Sequence, residues 1–186
     1  MKIISIIAFF LGCSSLAFSQ VIIGDAVGTA TNKTSVLLEF SKENKGLVLP
    51  YVRTLPTPAK GLVEGTILLD ASSTGASRIK VYDGNTSAGT QGWTDLSGRD
   101  GNTTSQLANQ PTLAEDTNSK AIIGANSSSA AGVLVLESTT KAMVLPQVAD
   151  VNDIPKPAPG MIVYVNKAGA KRLAVYNGTV WTFWKP

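Results

Sequence analysis

The chain has 186 residues, no histidine, and a single cysteine, Cys13, inside an apolar N-terminal stretch. Beyond that stretch there is neither imidazole nor thiol, which excludes Ser-His-Asp and Cys-His catalysis, Cys/His zinc sites and disulfides. Hydrophobic residues make up 44% and charged ones only 16%, so the chain is built to fold, and its 16 basic and 13 acidic side chains are spread without a basic patch for nucleic acid.

Met1 to Gln20 combine one positive residue, Lys2, an apolar run from Ile3 to Leu11 and a small-residue close at Ala17-Phe18-Ser19, the pattern of a secretory signal cut after Ser19. The run is far shorter than the ~20 residues that span a bilayer, so no transmembrane segment is expected in the mature chain. Residues 1–20 are therefore read as a signal peptide and the protein as exported, to the cell surface or the extracellular space. An alternative takes Leu11-Gly12-Cys13 as the end of a lipobox, with Cys13 lipidated and the protein anchored at the outer membrane or held in the periplasm. Phe10 stands where that motif prefers a small aliphatic residue.

The remainder contains two similar halves. Ile22-Ile23-Gly24 returns as Ile122-Ile123-Gly124, and Lys45-Gly46-Leu47-Val48-Leu49-Pro50 as Lys141-Ala142-Met143-Val144-Leu145-Pro146. Gly65-Thr66-Ile67-Leu68-Leu69 returns as Gly160-Met161-Ile162-Val163-Tyr164, and Val81-Tyr82-Asp83-Gly84 with Trp93 as Val175-Tyr176-Asn177-Gly178 with Trp181. The offsets drift from 100 down to 88 while the order is kept, as expected if the second copy has shorter loops.

Within each copy the pattern is that of short strands rich in β-branched residues and separated by Gly, Pro, Asn and Ser, without a 3.6-residue apolar period. In the first copy they are expected at Val36–Phe40, Leu47–Leu49, Thr66–Leu69, Arg78–Tyr82 and Trp93–Leu96. Residues 97–119 are polar and hold few large apolar groups, which reads as an exposed linker. The fold class expected is all-β: repeat 1 at 21–96, a polar linker at 97–119 and repeat 2 at 120–186, each repeat built of short antiparallel strands and hairpins. At Asn177-Gly178 the last hairpin is expected to turn through three residues, pairing Val175 with Trp181 and Leu173 with Phe183, in preference to a two-residue loop.

Candidate sites are few. Asp83-Gly84-Asn85-Thr86-Ser87 has the alternating oxygens of a calcium loop, but the twelfth position is Thr94 instead of Glu, so a solvated turn is the reading and no metal is expected. No carboxylate pair is repeated between the copies, so no catalytic residue and no cofactor are assigned. The aromatics Tyr82 and Trp93 in one copy, and Tyr176, Trp181 and Trp184 in the other, cluster at the repeat ends. They suit hairpin packing first and, as the alternative, a platform on which a sugar ring stacks.

The landmarks resemble a repeat family common in secreted proteins of Gram-negative bacteria and similar to phage tail-fibre segments. The opening Ser19-Gln20-Val21-Ile22-Ile23-Gly24, the middle Leu136-Glu137-Ser138-Thr139-Thr140-Lys141-Ala142-Met143-Val144-Leu145-Pro146 and the close Asn177-Gly178-Thr179-Val180-Trp181 carry the resemblance. The first copy departs from it at Lys42-Glu43-Asn44 and in its insertion before Trp93. The resemblance implies β-rich, fibre-like or surface-layer material, frequently trimeric in the phage relatives, and brings no catalytic residue. The function expected is that of a non-enzymatic exported structural or adhesive protein of a Gram-negative cell surface, self-associating as a homotrimer. A glycan or a surface protein is the further partner expected, nucleic acid is not, and the alternative is a secreted carbohydrate-binding module using the terminal aromatics.

Overall fold

A computed structural model of the chain describes residues 20–41, 44–111, 116 and 119–184. Cys13 and all of the expected signal peptide except Gln20 lie outside these residues. The fold is nearly all β, with one short helix, α1 (Thr104–Asn109), and three single 3-10 turns among the described residues.

The first repeat contributes β1 (Val21–Ile23), β2 (Val36–Phe40), β3 (Leu47–Val48), β4 (Tyr51–Val52), β5 (Ile67–Asp70), β6 (Arg78–Tyr82) and β7 (Trp93–Asp95). The second contributes β8 (Ala121–Ile123), β9 (Leu134–Leu136), β10 (Ala142–Val144), β11 (Gln147–Val148), β12 (Met161–Val165), β13 (Arg172–Tyr176) and β14 (Trp181–Trp184). Strand for strand the two follow one order. Registers agree as well, since Ile67 faces Val81 as Ile162 faces Val175, and Tyr82 faces Trp93 as Tyr176 faces Trp181. The repeated Ile-Ile-Gly explains itself here. Gly24 and Gly124 have φ near +98° and +100°, and a Cβ on either would sit within 2.2 Å of the carbonyl oxygen of Ser41 or Glu137. Only glycine turns the chain off the strand so close to its neighbour.

The antiparallel expectation holds for the β5–β6–β7 and β12–β13–β14 meanders. It holds also for β3 on β12 but fails for five pairs: β1 with β2, β4 with β5, β8 with β9, β11 with β12 and β10 with β2 run parallel. Stretches such as 24–35, 53–66 and 149–160 are long enough to carry the chain back across its sheet, which parallel pairing requires.

The last hairpin also differs from both registers expected. Val175 faces Thr182 and Ala174 faces Phe183, leaving a four-residue loop at 177–180. The cause is the Asn177 side chain, whose Oδ1 accepts from the N–H groups of Thr179 and Val180, both at 2.9 Å, and so holds a wider turn than Asn-Gly alone forms.

A second correction concerns the linker. Residues 97–110 are folded into the protein: Ser97 and Thr103 are fully buried and Leu107 is buried on α1. Ser77 and Gly101 exchange two backbone hydrogen bonds of 3.0 Å, and the Ser77 and Thr103 hydroxyls meet at 2.6 Å. Across the other side the Asn177 amide donates to the Arg99 carbonyl at 2.7 Å, the Trp184 indole to the Leu96 carbonyl at 2.7 Å and the Thr182 hydroxyl to the Ser97 carbonyl. Arg53 reaches the Leu107 carbonyl at 2.8 Å. A segment with little apolar area is thus ordered by polar satisfaction. At Gly101 a Cβ would lie 1.9 Å from the Asn177 carbonyl oxygen, so the approach admits no side chain.

Among the described residues the core has three clusters. Leu62, Leu68 and Trp93 pack within the first repeat, and Val148, Val151, Ile154, Met161, Val163, Val165 and Ala174 within the second. Between them Leu49, Leu69 and Ile79 of the first meet Ile162 and Val175 of the second. The strands β5 and β12 are apolar on both faces, and this shared layer is where the inner face of each is covered.

Candidate assembly surface

The repeated Val-Leu-Pro stretch, Val48-Leu49-Pro50 and Val144-Leu145-Pro146, forms the seam between the two repeats. Proline has no N–H to donate to a ladder, so a strand that reaches it changes partners there. Before Pro50, β3 lies antiparallel on β12 of the second repeat, with Met161 facing Val48 and Ile162 facing Leu47. After Pro50, β4 joins β5 of its own repeat, and the Pro50 carbonyl accepts from Leu69 N–H at 3.0 Å. The second copy does the same: β11 joins β12, the Pro146 carbonyl accepts from Tyr164 N–H at 2.8 Å, and β10 crosses to lie parallel on β2 of the first repeat. Leu49 N–H donating to the Gly160 carbonyl at 3.0 Å, and the Tyr51 hydroxyl donating to the Pro159 carbonyl at 2.9 Å, close the seam. At Gly46 a Cβ would fall 2.2 Å from the Met161 Cγ, which accounts for glycine where the second copy has Ala142.

The aromatic candidates fall into two separate pairs. Tyr82 and Trp93 are cross-strand neighbours with ring centroids 5.3 Å apart, and Trp93 is 5% exposed against Leu62 and Leu68. Tyr176 and Trp181 repeat the arrangement at 5.2 Å and pack half-buried on the core of the second repeat. Trp184 stands apart, half-exposed, with its indole nitrogen on Leu96. Phe183 carries the Arg172 guanidinium 4.1 Å over its ring. Among the described residues the ring contacts join Tyr82 to Trp93 and Tyr176 to Trp181, with Trp184 held through Leu96.

Polar groups serve the loops. In the Asp83 loop the Asp83 carboxylate accepts from Asn85 N–H at 3.0 Å and from the Thr94 hydroxyl at 2.7 Å, while Asn85 caps Ser87. The loop's own donors take up its oxygens, and no group of three or more metal-binding side chains occurs among the described residues.

The residue that sequence reasoning missed is Glu39, fully buried in β2. Its carboxylate accepts from Ala30 N–H at 2.9 Å, from the hydroxyl and N–H of Thr29, and from the Gln20 amide at 3.2 Å. Burial resists ionisation, but the Ala30 and Thr29 donors and the Lys33 charge outweigh it and hold the carboxyl below its ordinary value. A lone acid inside the apolar run Val36–Phe40 was the signal available. In the first repeat Asp70 is held low likewise, its burial overcome by the Lys80 ammonium at 2.7 Å and by Ser72. Among the described residues, one shallow cleft is lined by Leu37, Gly124, Glu137, Ser138, Thr139 and Lys141 between the repeats, and another by Met143, Val144, Leu145, Gln147 and Tyr164 beside β10.

No curated protein and no solved structure matches the chain significantly. Residues 122–185, which run from β8 to the end of β14, match the sequence model of the phage tail like trimerisation region. The second repeat is therefore similar to a segment whose description is structural and oligomeric, and an all-β chain with strand-exchanged repeats fits a fibre-like protein of that kind.

Proposed function

We propose that this chain is an exported, non-enzymatic structural protein of a Gram-negative cell surface that acts by assembling with copies of itself into a trimer. The observation that carries the reading is the match of residues 122–185 to a trimerisation region. Two further features support it. The aromatic pairs at the hairpin ends are engaged in packing, and the carboxylates at Glu39, Asp70 and Asp83 are committed to loop and strand donors. Export rests on the Met1–Gln20 pattern, and the mature chain then begins at Gln20 or Val21.

Multi-angle light scattering on the purified mature protein tests the assembly, and intact-mass spectrometry of secreted material tests the processing. A mass of three chains is expected by the first, and cleavage after Ser19 or Gln20 by the second. A monomer at tens of micromolar refutes the trimer. A diacylated or triacylated Cys13 refutes simple cleavage. A monomer that binds glycans through Trp181 or Trp184 establishes the carbohydrate-binding alternative instead.

A further inference from the structure

We infer that the free margin of the second repeat, formed by β9 and the outer side of β10, takes the first repeat of another copy of this chain, repeating between chains the seam that joins the two repeats within one. The inference rests on the self-association proposed above and names the surface that performs it.

The internal seam is not reciprocal. The third strand of the second repeat, β10, lies on the second strand of the first, β2, whereas the third strand of the first, β3, lies on the fifth strand of the second, β12. A two-fold relation between the repeats would also place β3 on β9 and β10 on β5. Neither pairing occurs among the described residues. The contact is heterologous, and a heterologous contact uses a different surface on each partner, leaving the complementary half of each unused.

Those unused halves are visible residue by residue. In the first repeat Leu37 and Leu38 are 2% and 0% exposed beneath the seam. Their counterparts in the second repeat, Val133 and Leu134, are 66% and 39% exposed. The other half of the margin is β10. Leu47, Val48 and Leu49 meet β12, but their counterparts Met143, Val144 and Leu145 line the open cleft with Gln147 and Tyr164. The matching vacancy on the first repeat is at the start of β5. A Cβ on Gly160 would touch Tyr51, the Leu49 carbonyl and Leu69, while at the equivalent Gly65 it would meet nothing within 4 Å.

The surface that fits β9 and β10 is therefore one this protein already owns: β3 of another copy against β9, and the Gly65–Ile67 margin of that copy against β10. Both are main-chain additions to a strand edge backed by apolar side chains, a mode that gives affinity through the ladder and selectivity through alternate side chains. A heterologous contact either closes into a ring or grows without limit, and the trimerisation match selects closure with three chains.

Light scattering is run on wild type and on the double variant Val133→Lys/Leu134→Lys, with circular dichroism melting to confirm folding. In parallel, Leu47→Cys and Leu134→Cys are combined with Cys13→Ser. By analogy with Leu38 facing Met143, the two new thiols are neighbours only across chains. Expected are a three-chain mass for wild type, self-association weakened at least about a hundredfold in the folded lysine variant, and disulfide-linked dimers and trimers on a non-reducing gel for the cysteine pair. A three-chain mass that survives both lysines, without cross-linking, overturns the assigned surface and leaves self-association standing. A monomeric wild type overturns the self-association itself. Growth into filaments overturns closure at three.

Discussion

Replacing Ile162 by alanine tests whether the two repeats share one core. Ile162 is 3% exposed and packs with Val175 of its own repeat and with Leu49, Leu69 and Ile79 of the other. Truncation removes three carbons at about 0.8 kcal/mol each, or about 2.4 kcal/mol of transfer free energy, and the residual cavity raises the loss to about 3–4 kcal/mol. For a chain of this length that corresponds to a fall in Tm of about 6–15 °C. The informative assay is hydrogen exchange resolved along the sequence. Because the cavity opens against Leu69 and Ile79, the amides of β5 and β6 should lose protection together with those of β12 and β13, although the substitution lies in the second repeat. Unchanged protection of Leu69, Ile79 and Val81 beside a large loss at Val163 and Ala174 would refute the shared layer.

Trp93→Ala, which empties a site 5% exposed, should cost about 3–5 kcal/mol, and the half-buried Trp181→Ala less, both read by chemical denaturation. Gly101→Ala places a methyl against the Asn177 carbonyl and should release the connector, so limited proteolysis, slow at 97–110 in wild type, becomes fast there. Glu39 titrates below its ordinary value when folded, so its contribution is complete above about pH 4.3 and is lost as pH falls through the lower folded value. Glu39→Gln should therefore be less stable at pH 7 and should show a shallower stability loss between pH 5 and 2 in acid titrations followed by circular dichroism.

The repeat and its strand content were legible because landmarks such as Ile-Ile-Gly and Leu-Pro answer to local backbone demands: a positive φ beside a carbonyl, and a missing donor. The bounds of β2, β6 and β13 follow from their apolar runs for the same reason. What pairs with what is not local. Strands of two or three residues such as β3, β4 and β11 have no periodicity of their own, and their partners are chosen by what the other repeat leaves open. The four-residue turn after Tyr176 was hidden because the Asn177 side chain, not the dipeptide's φ preference, sets its width. The connector was read as loose from its polarity, yet its polar groups are what dock it. Of the surface proposed for assembly, the apolar Val133 and Leu134 stand in the sequence as residues, but their exposure appears only in the structure.

The connector has a kinetic consequence. Residues 97–110 are pinned to Ser77 of the first repeat and to Asn177 of the second, and because both repeats belong to one chain they meet at a local concentration of order millimolar, the regime of a tether. The seam inside a chain therefore closes as part of folding, at any dilution. A contact of the same kind between chains has no tether and obeys mass action. A single molecule thus carries the internal seam already made at any concentration, and the inter-chain seam proposed above would form only where enough copies gather.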